Sequence, residues 1–536
     1  MKNFTARSAR IFVMIMVLIF WQASLQGLDR FPPLHNDEST ILAPGLKLFT
    51  RGVFGLDMYT GFYQQEQIYL EIPPLMSWLQ GLSAILLGVG VWQMRFLPVV
   101  LGALTIALTF AVGRRLAHPA VGMLAAAFLL VWQWTPPGLP FLGSGIPLID
   151  VSRLARYDIL VAPLGLGAFW AWIHARRTSL ARYDFLSGLL VGLAGLANVY
   201  GAFWLPALLL LNALTQPLGA PGSSRVRSEH AHVRIASIGW LALGAGLPWL
   251  GWGTVAVTHW SSLTGQFVKH ATDGRLDLLS PAFYLNNLLN EIHRYQLGAR
   301  DPATFGRLGF WLLVVGVPLG ILWLIWGVRR GNQRALWLLV PALTIPFLLG
   351  LLINLKRFYY LIAVVPLFAI VLAWACVGLW QRSNRSRTLA ALGLIVMVGQ
   401  GAFGILLLQQ TANQVEAPEQ FYLELQALVP PALTRIYGPH EYWFAFYDRE
   451  YRGFVLPLLL SRAQSSSFGA AMQEIAPQVV LLNPYLTDVL ARMDRCGEPP
   501  SCADQFWQFM AAHQATLLAE VQDYQGQPVQ IYLLEW

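Results

Sequence analysis

Long apolar runs separated by short basic clusters dominate the chain. The runs fall at 11–28, 96–113, 119–135, 158–174, 185–198, 201–215, 235–257, 305–328, 335–353, 358–379 and 388–408. An apolar helix crosses the hydrocarbon core at roughly 18 residues or more, so the pattern predicts an all-α polytopic membrane domain of about eleven transmembrane helices. The basic clusters are Lys2/Arg7/Arg10, Arg114/Arg115, Arg176/Arg177/Arg182, Arg225/Arg227/Arg234, Arg329/Arg330/Arg334 and Arg382/Arg385/Arg387. If all of them face the cytoplasm, an even number of spans separates each cluster from the next.

That parity decides one segment. Residues 75–92, "LMSWLQGLSAILLGVGVW", are apolar enough to be a span, but counting them as one moves Arg114 and Arg115 outside. They read instead as an interfacial helix anchored by Trp78 and Trp92. The short pair 185–198 and 201–215 also reads as one long broken helix, which would change the parity. The first run reads as an uncleaved span, because it is long and no small-x-small cleavage site follows it.

Residues 1–410 are therefore expected to form the membrane domain, with outer loops at 29–95 and 258–304. Beyond them the pattern changes. Residues 411–536 are more polar, with strand-like runs in "APQVVLLNPY" and "QPVQIYLLEW" and a helix-like run in "CADQFWQFMAAHQATLLAEV". This predicts a small α/β extracytoplasmic domain. Cys496 and Cys502 in "CGEPPSC" read as a short disulfide, which requires the oxidising side where parity places the domain. Cys376 reads as an inert thiol within an apolar run.

Composition sharpens the class. Of 536 residues, 56% are hydrophobic and 12% charged, about half the charged share of a soluble domain. The net charge of +8 is accounted for by the cytoplasmic clusters, and no basic stripe with interleaved aromatics points to nucleic acid. No Asp, Glu, Lys or Arg stands mid-span, where ion-coupled transporters usually keep one. The acidic residues gather at the outer helix ends, which favours chemistry at the membrane surface.

The candidates lie there. "FPPLHNDEST" places His35, Asp37 and Glu38 just after the first span. Adjacent helical residues do not share a face, so one carboxylate of the pair is expected to reach a site. The alternative is structural: Asp37 as the N-cap of a helix starting "ESTILAPGLKLF", with Glu38 complementing the helix dipole. Pro44 should bend or break that helix. Asp158 in "SRLARYDILVAP" starts a span beside Arg153 and Arg156, so an interfacial ion pair is its plain alternative. Glu71 precedes the rigid Pro-Pro of "EIPP". Arg95, Lys356 and Arg357 are cations at outer helix ends, and Lys356 and Arg357 break the positive-inside trend next to Tyr359 and Tyr360. Snorkelling to headgroups explains such cations, and so does a bound phosphate.

The order of these features resembles the membrane glycosyltransferases of the C-type fold, in particular the protein O-mannosyltransferase and aminoarabinose-transferase superfamily. The segments that carry the resemblance are "HNDESTILAPGLKLF", "EIPPLMSWLQGL", "RFLPVVLGALTIALTFAVGRRL", "RLARYDILVAPL" and "LKRFYYLIAVVPLFAIV". It implies a polyprenyl-phosphate-linked sugar as donor, an acceptor protein, lipid or glycan, and a multi-pass protein of the cytoplasmic membrane whose active site faces outward. Carried over by position, Asp37 would be the catalytic base, with Glu38 and Asp158 as its catalytic partners. Arg95, Lys356, Arg357 and Tyr359 would contact the donor phosphate, and His35, Glu71 and Arg156 would position substrate.

The chain also departs from its relatives. Ile72 stands where aminoarabinose transferases carry the Lys of "EKP", and "ANVYG" with Asn198 replaces the "TKG" of many members. No loop is large enough for the β-trefoil of the eukaryotic O-mannosyltransferases. Two other classes fit the same scaffold: a glycan polymerase or ligase using a lipid-pyrophosphate donor, and a non-enzymatic lipid or solute transporter. A divalent metal is an open alternative by analogy with related folds, although no tight ligand cluster for one stands in the sequence.

Overall fold

The computed structural model describes residues 6–135, 137, 143–215, 224–272, 277, 279–295, 307–492 and 501–536. Among the described residues each apolar run is largely helical. In chain order these and their neighbours are α1 (Ala6–Leu25), α2 (Asn36–Arg51), α3 (Leu75–Leu87), α4 (Val91–Leu116), α5 (Pro119–Val131), α6 (Pro147–Ser152), α7 (Asp158–Thr178), α8 (Ala181–Ala197), α9 (Trp204–Leu214), α10 (Ser224–Thr258), α11 (Trp260–Thr272), α12 (Pro281–Leu289), α13 (Leu308–Arg329), α14 (Gln333–Leu352), α15 (Val365–Trp380) and α16 (Asn384–Gln414). Among the described residues, seven helices are long and apolar enough to cross a membrane, and four shorter apolar helices accompany them. The protein is a multi-pass membrane protein.

The chain divides into two compact units. The first comprises residues 1–26, 98–255 and 271–411. Its interior is aromatic. The buried Trp172 indole donates to Asn212 Oδ1 at 2.9 Å and meets Trp337 edge-on at 5.3 Å between ring centroids. The paired short helices expected at 185–198 and 201–215 are α8 and α9, joined by a break at Asn198 and a 3-10 turn over Val199–Phe203.

The second unit comprises residues 27–97, 256–270 and 412–536. Residues 411–536 were expected to stand as a domain by themselves, but they are compact together with the first loop. The reason is polar as well as apolar. The Arg452 guanidinium donates to the Asp57 carbonyl at 2.9 Å, and the Tyr59 hydroxyl lies 3.3 Å from His440 Nε2. Gln266 of α11 joins them: its Oε1 accepts from Leu70 N–H at 2.7 Å, and its Nε2 donates to the Ile68 carbonyl at 2.9 Å.

Helix α2 runs continuously through Pro44. The expected break is absent because α3 clamps this stretch. A Cβ at Gly45 would stand 1.7 Å from the Ser77 carbonyl oxygen, and one at Gly81 would stand 2.2 Å from the Gly45 backbone. The two helices therefore cross in backbone contact, which only glycine permits. α3 buries Met76, Gln80, Gly81 and Ala84 and exposes Leu82, Ile85, Leu86 and Leu87, a one-sided apolar face.

After α16 come α17 (Pro418–Leu428), β1 (Arg435–Gly438), β2 (Glu450–Gly453), α18 (Leu456–Gln464), α19 (Phe468–Ile475), β3 (Val479–Leu482), α20 (Pro484–Arg492), α21 (Cys502–Ala512), β4 (Thr516–Gln522) and β5 (Pro528–Leu533). The sheet order is β2-β1-β3-β5-β4, parallel from β2 to β3 and antiparallel beyond. The α/β character follows the expectation, with one correction. "TLLAEV" is strand β4 rather than the end of the preceding helix. The turn after it explains why: Asp523 Oδ1 accepts from the N–H groups of Gln525 and Gln527, and Gly526 takes φ +73°, closing a hairpin onto β5. Cys502 is buried and disulfide-bonded, and its expected partner Cys496 lies outside the described residues. Cys376 is a free thiol.

Candidate functional site

In the second unit, the polar knot of the first loop separates its two carboxylates. The N-cap of α2 is His35, not Asp37. The His35 imidazole accepts from the Asp37 N–H at 3.1 Å, and Glu38 Oε2 accepts from the His35 N–H at 2.8 Å, a reciprocal capping box. The accepting nitrogen, Nδ1, lies 3.7 Å from Asp37 Oδ2.

The next residue turns inward. Glu38 is fully buried and takes Arg95 bidentately, Nε to Oε1 at 2.9 Å and Nη2 to Oε2 at 2.8 Å. Arg95 also donates to the carbonyls of Leu28, Pro32 and Pro33. All five guanidinium N–H groups are thereby engaged, and none is left for a phosphate. Arg95 was expected to bind the donor phosphate; the structure instead makes it the strut that holds residues 28–38 in place. Asp37, by contrast, leaves 40% of its side chain exposed. Of the two carboxylates, Asp37 is the exposed one.

Glu71 accepts from the Gln65 side chain at 3.1 Å. Burial pushes the Tyr59 phenol well above its usual range, and the nearby carboxylates of Glu71 and Asp37 push it further, so the hydroxyl stays protonated. Tyr59 and its neighbour His440 were not picked out from the sequence. Nothing local marks them, since they lie 381 positions apart.

In the first unit, Asp158 opens α7 fully buried. Its Oδ2 accepts from Arg156 Nε at 2.9 Å, and its Oδ1 accepts from the Tyr200 hydroxyl at 2.9 Å and from Asn198 Nδ2 at 3.4 Å. The Arg156 guanidinium carbon sits 3.8 Å from the centre of the Tyr359 ring, a cation–π contact. Arg156, Asp158 and Tyr359 are thus brought together, and the break at "ANVYG" supplies the two extra donors. The departure noted there was the signal for Asn198 and Tyr200.

Lys356 is committed elsewhere. Its ammonium donates to Glu291 Oε2 at 2.8 Å and to the carbonyls of Gly350 and Ile353 at 3.1 and 2.9 Å, which uses all three hydrogens. Glu291 also holds the buried Arg294, whose Nη groups tie down the carbonyls of Leu349, Ile353 and Leu355. Arg357 differs. Its side chain is exposed and makes no hydrogen bond or ion pair among the described residues. Of the cations assigned to the donor phosphate, it is the one that keeps its donors. Among the described residues no group of three or more His, Cys, Asp or Glu is arranged to hold a metal.

Residues 71–252 match the family model of the dolichyl-phosphate-mannose-protein mannosyltransferases. The chain has the C-type fold of the membrane glycosyltransferases. It is similar in structure to ArnT from Cupriavidus metallidurans bound to undecaprenyl phosphate, with 14% identity, a TM-score of 0.59 and 97% of each chain covered. It is also similar to the oligosaccharyltransferase of Archaeoglobus fulgidus in the apo form, with 15% identity, a TM-score of 0.56, and 91% of this chain and 71% of that one covered. The archaeal oligosaccharyltransferase AglB in complex with an inhibitory peptide and a dolichol-phosphate gives a TM-score of 0.53 at 14% identity, over 89% of this chain and 69% of that one. No curated protein matches by sequence.

Proposed function

We propose that this chain is a glycosyltransferase that moves a sugar from a polyprenyl-phosphate donor to an acceptor at the outer face of the cytoplasmic membrane, with Asp37 as the base. The observation that carries the reading is the division of labour between neighbours: Glu38 is neutralised and buried by Arg95, while Asp37 stays exposed at the N-terminus of α2. Asp37 stands in the first turn of α2, where the helix dipole favours a negative charge.

In the proposed step, Asp37 takes the proton of the acceptor nucleophile. That atom's electron pair forms the new bond to the anomeric carbon. The bond from this carbon to the phosphate oxygen breaks, its electrons stay on the oxygen, and polyprenyl phosphate departs. A single displacement inverts the anomeric centre. Phosphate is a good leaving group, so no general acid is needed, unlike the two-carboxylate hydrolases. Arg357 is assigned to the departing phosphate charge, because its donors are uncommitted. Asp158, Arg156 and Tyr359 act as a positioning group around the start of α7, and His35 and Glu71 position substrate near α2.

The test is transfer from a synthetic polyprenyl-phosphate sugar by the purified chain and by its Asp37→Asn variant. A loss of about 10²–10⁴-fold in rate is expected for the variant. Full activity would remove Asp37 from the role. Mass spectrometry of the released lipid distinguishes the donor: a monophosphate supports this reading, and a pyrophosphate supports a polymerase or ligase. Flux across proteoliposomes without transfer would instead indicate a transporter.

A further inference from the structure

At the other end of α7 a second charged group has no part in that chemistry. A cleft of about 390 Å³ opens between the C-terminal ends of α4 and α7, lined by Phe110, Ala111, Arg114, Arg115, Trp170 and Arg177. From Asp158 to Arg177 the helix climbs about 30 Å, one hydrocarbon thickness, so the cleft lies at the opposite membrane surface from Asp158. Three guanidinium groups share it, and none of them pairs with a carboxylate among the described residues.

The contrast with the adjacent Arg176 is informative. Arg176 is matched by Asp184 and by the Ser237 hydroxyl, whereas its neighbours in the cleft are left unmatched. Arg334 of α14 and Arg182 of α8 add to the same positive field. Favourable placement of cations at two helix C-termini accounts for part of this. It does not account for a concave arrangement in which like charges face one another without a counter-charge, which costs free energy until an anion enters.

The cleft is also built rather than incidental. Arg115 Nη1 donates to His174 Nδ1 at 2.8 Å, and its guanidinium carbon lies 5.1 Å from the Trp170 ring centre. Trp170 in turn stacks on His174 with an interplanar angle of 9°. Arg177 is oriented by a hydrogen bond to the Arg115 carbonyl. The imidazole acts as an acceptor, so it fixes Arg115 without cancelling its charge. Two of the three guanidiniums are thus held in place in advance, which favours a phosphate oxyanion over a diffuse counter-ion cloud.

We infer that this cleft is a binding site for an anionic phosphate group, with Arg114, Arg115 and Arg177 as ligands and Trp170 as its wall. A phospholipid headgroup and a free phosphate share this chemistry, and the experiment separates them. The full chain in neutral detergent is titrated by native mass spectrometry with dioleoylphosphatidylglycerol, and with dioleoylphosphatidylcholine as the zwitterionic control. One phosphatidylglycerol should be retained saturably, and phosphatidylcholine should not. Arg115→Gln/Arg177→Gln should weaken retention ~10-fold or more through the lost charge-assisted bonds. Arg329→Gln/Arg385→Gln removes the same charge from other basic clusters and should leave it unchanged. Arg114→Gln removes a side chain that holds nothing else together, so it keeps the test open if the double variant misfolds; a loss of ~3-fold is expected from it. Displacement of the lipid by millimolar inorganic phosphate assigns the site to the phosphate itself, and persistence assigns it to a lipid headgroup. Equal loss in both double variants, or retention without saturation, would overturn the site in favour of a general attraction to anionic surfaces.

Discussion

Changing either of two adjacent carboxylates to its amide should produce opposite failures. In Glu38→Gln the shape is kept and the charge is lost. Arg95 then remains fully buried with its carboxylate partner gone, and only one neutral amide oxygen and the three carbonyls of Leu28, Pro32 and Pro33 accept from it. Breaking a buried pair from one side costs about 3–5 kcal/mol, because the remaining charge is uncompensated. The capping bond from His35 N–H to Glu38 weakens as well, a further loss of up to about 1 kcal/mol. Asp37→Asn, at a side chain 40% exposed, forfeits only a dipole interaction of about 0.3–1 kcal/mol. The assay is paired: detergent-solubilised thermal stability followed by fluorescence size-exclusion chromatography, and transfer from a polyprenyl-phosphate sugar. Glu38→Gln should melt well below the parent, and an Arg95→Met/Glu38→Leu replacement should recover much of the loss. Asp37→Asn should melt with the parent yet be inactive. If Glu38→Gln melted normally, or if Asp37→Asn melted as low as Glu38→Gln, the assignment of one residue to architecture and the other to chemistry would be wrong.

Three other outcomes follow from the geometry. Gly45→Val drives a side chain into the Ser77 carbonyl and should separate α2 from α3, costing about 3 kcal/mol or more, read as lost monodisperse expression. Tyr200→Phe removes a 2.9 Å donor from buried Asp158 and should destabilise by about 1.5–3 kcal/mol, detectable as a lower melting temperature while Asn198→Ala, at 3.4 Å, costs less. Burial, with Asp523 nearby, raises the Glu441 carboxyl from 4.5 to about 7. The folded state therefore holds this proton more tightly than the unfolded one between those values. Stability should be full below about pH 4.5 and fall by up to about 3 kcal/mol as pH climbs through 7. Melting curves at pH 5 and pH 8 should converge in Glu441→Gln, and a parent whose stability is flat over that range would contradict the burial.

The membrane architecture was legible in the chain because it depends on one-dimensional quantities. Run length against bilayer thickness placed the apolar helices from 11–28 to 388–408, and short strand-like runs marked β3 and β5. Tertiary structure decided which polar residues are used up. Asp37 and Glu38 are alike in sequence. They part only because α4 delivers Arg95 to one of them across 57 positions. The same holds for Lys356, whose three hydrogens are consumed by a glutamate 65 residues away, and for Asp158, whose donors come from a helix break read at first as a mere departure. Hydrogen-bond saturation is a property of contacts between distant segments. A chain read one residue at a time shows where a charge can lie, and the folded state shows whether that charge is already spent.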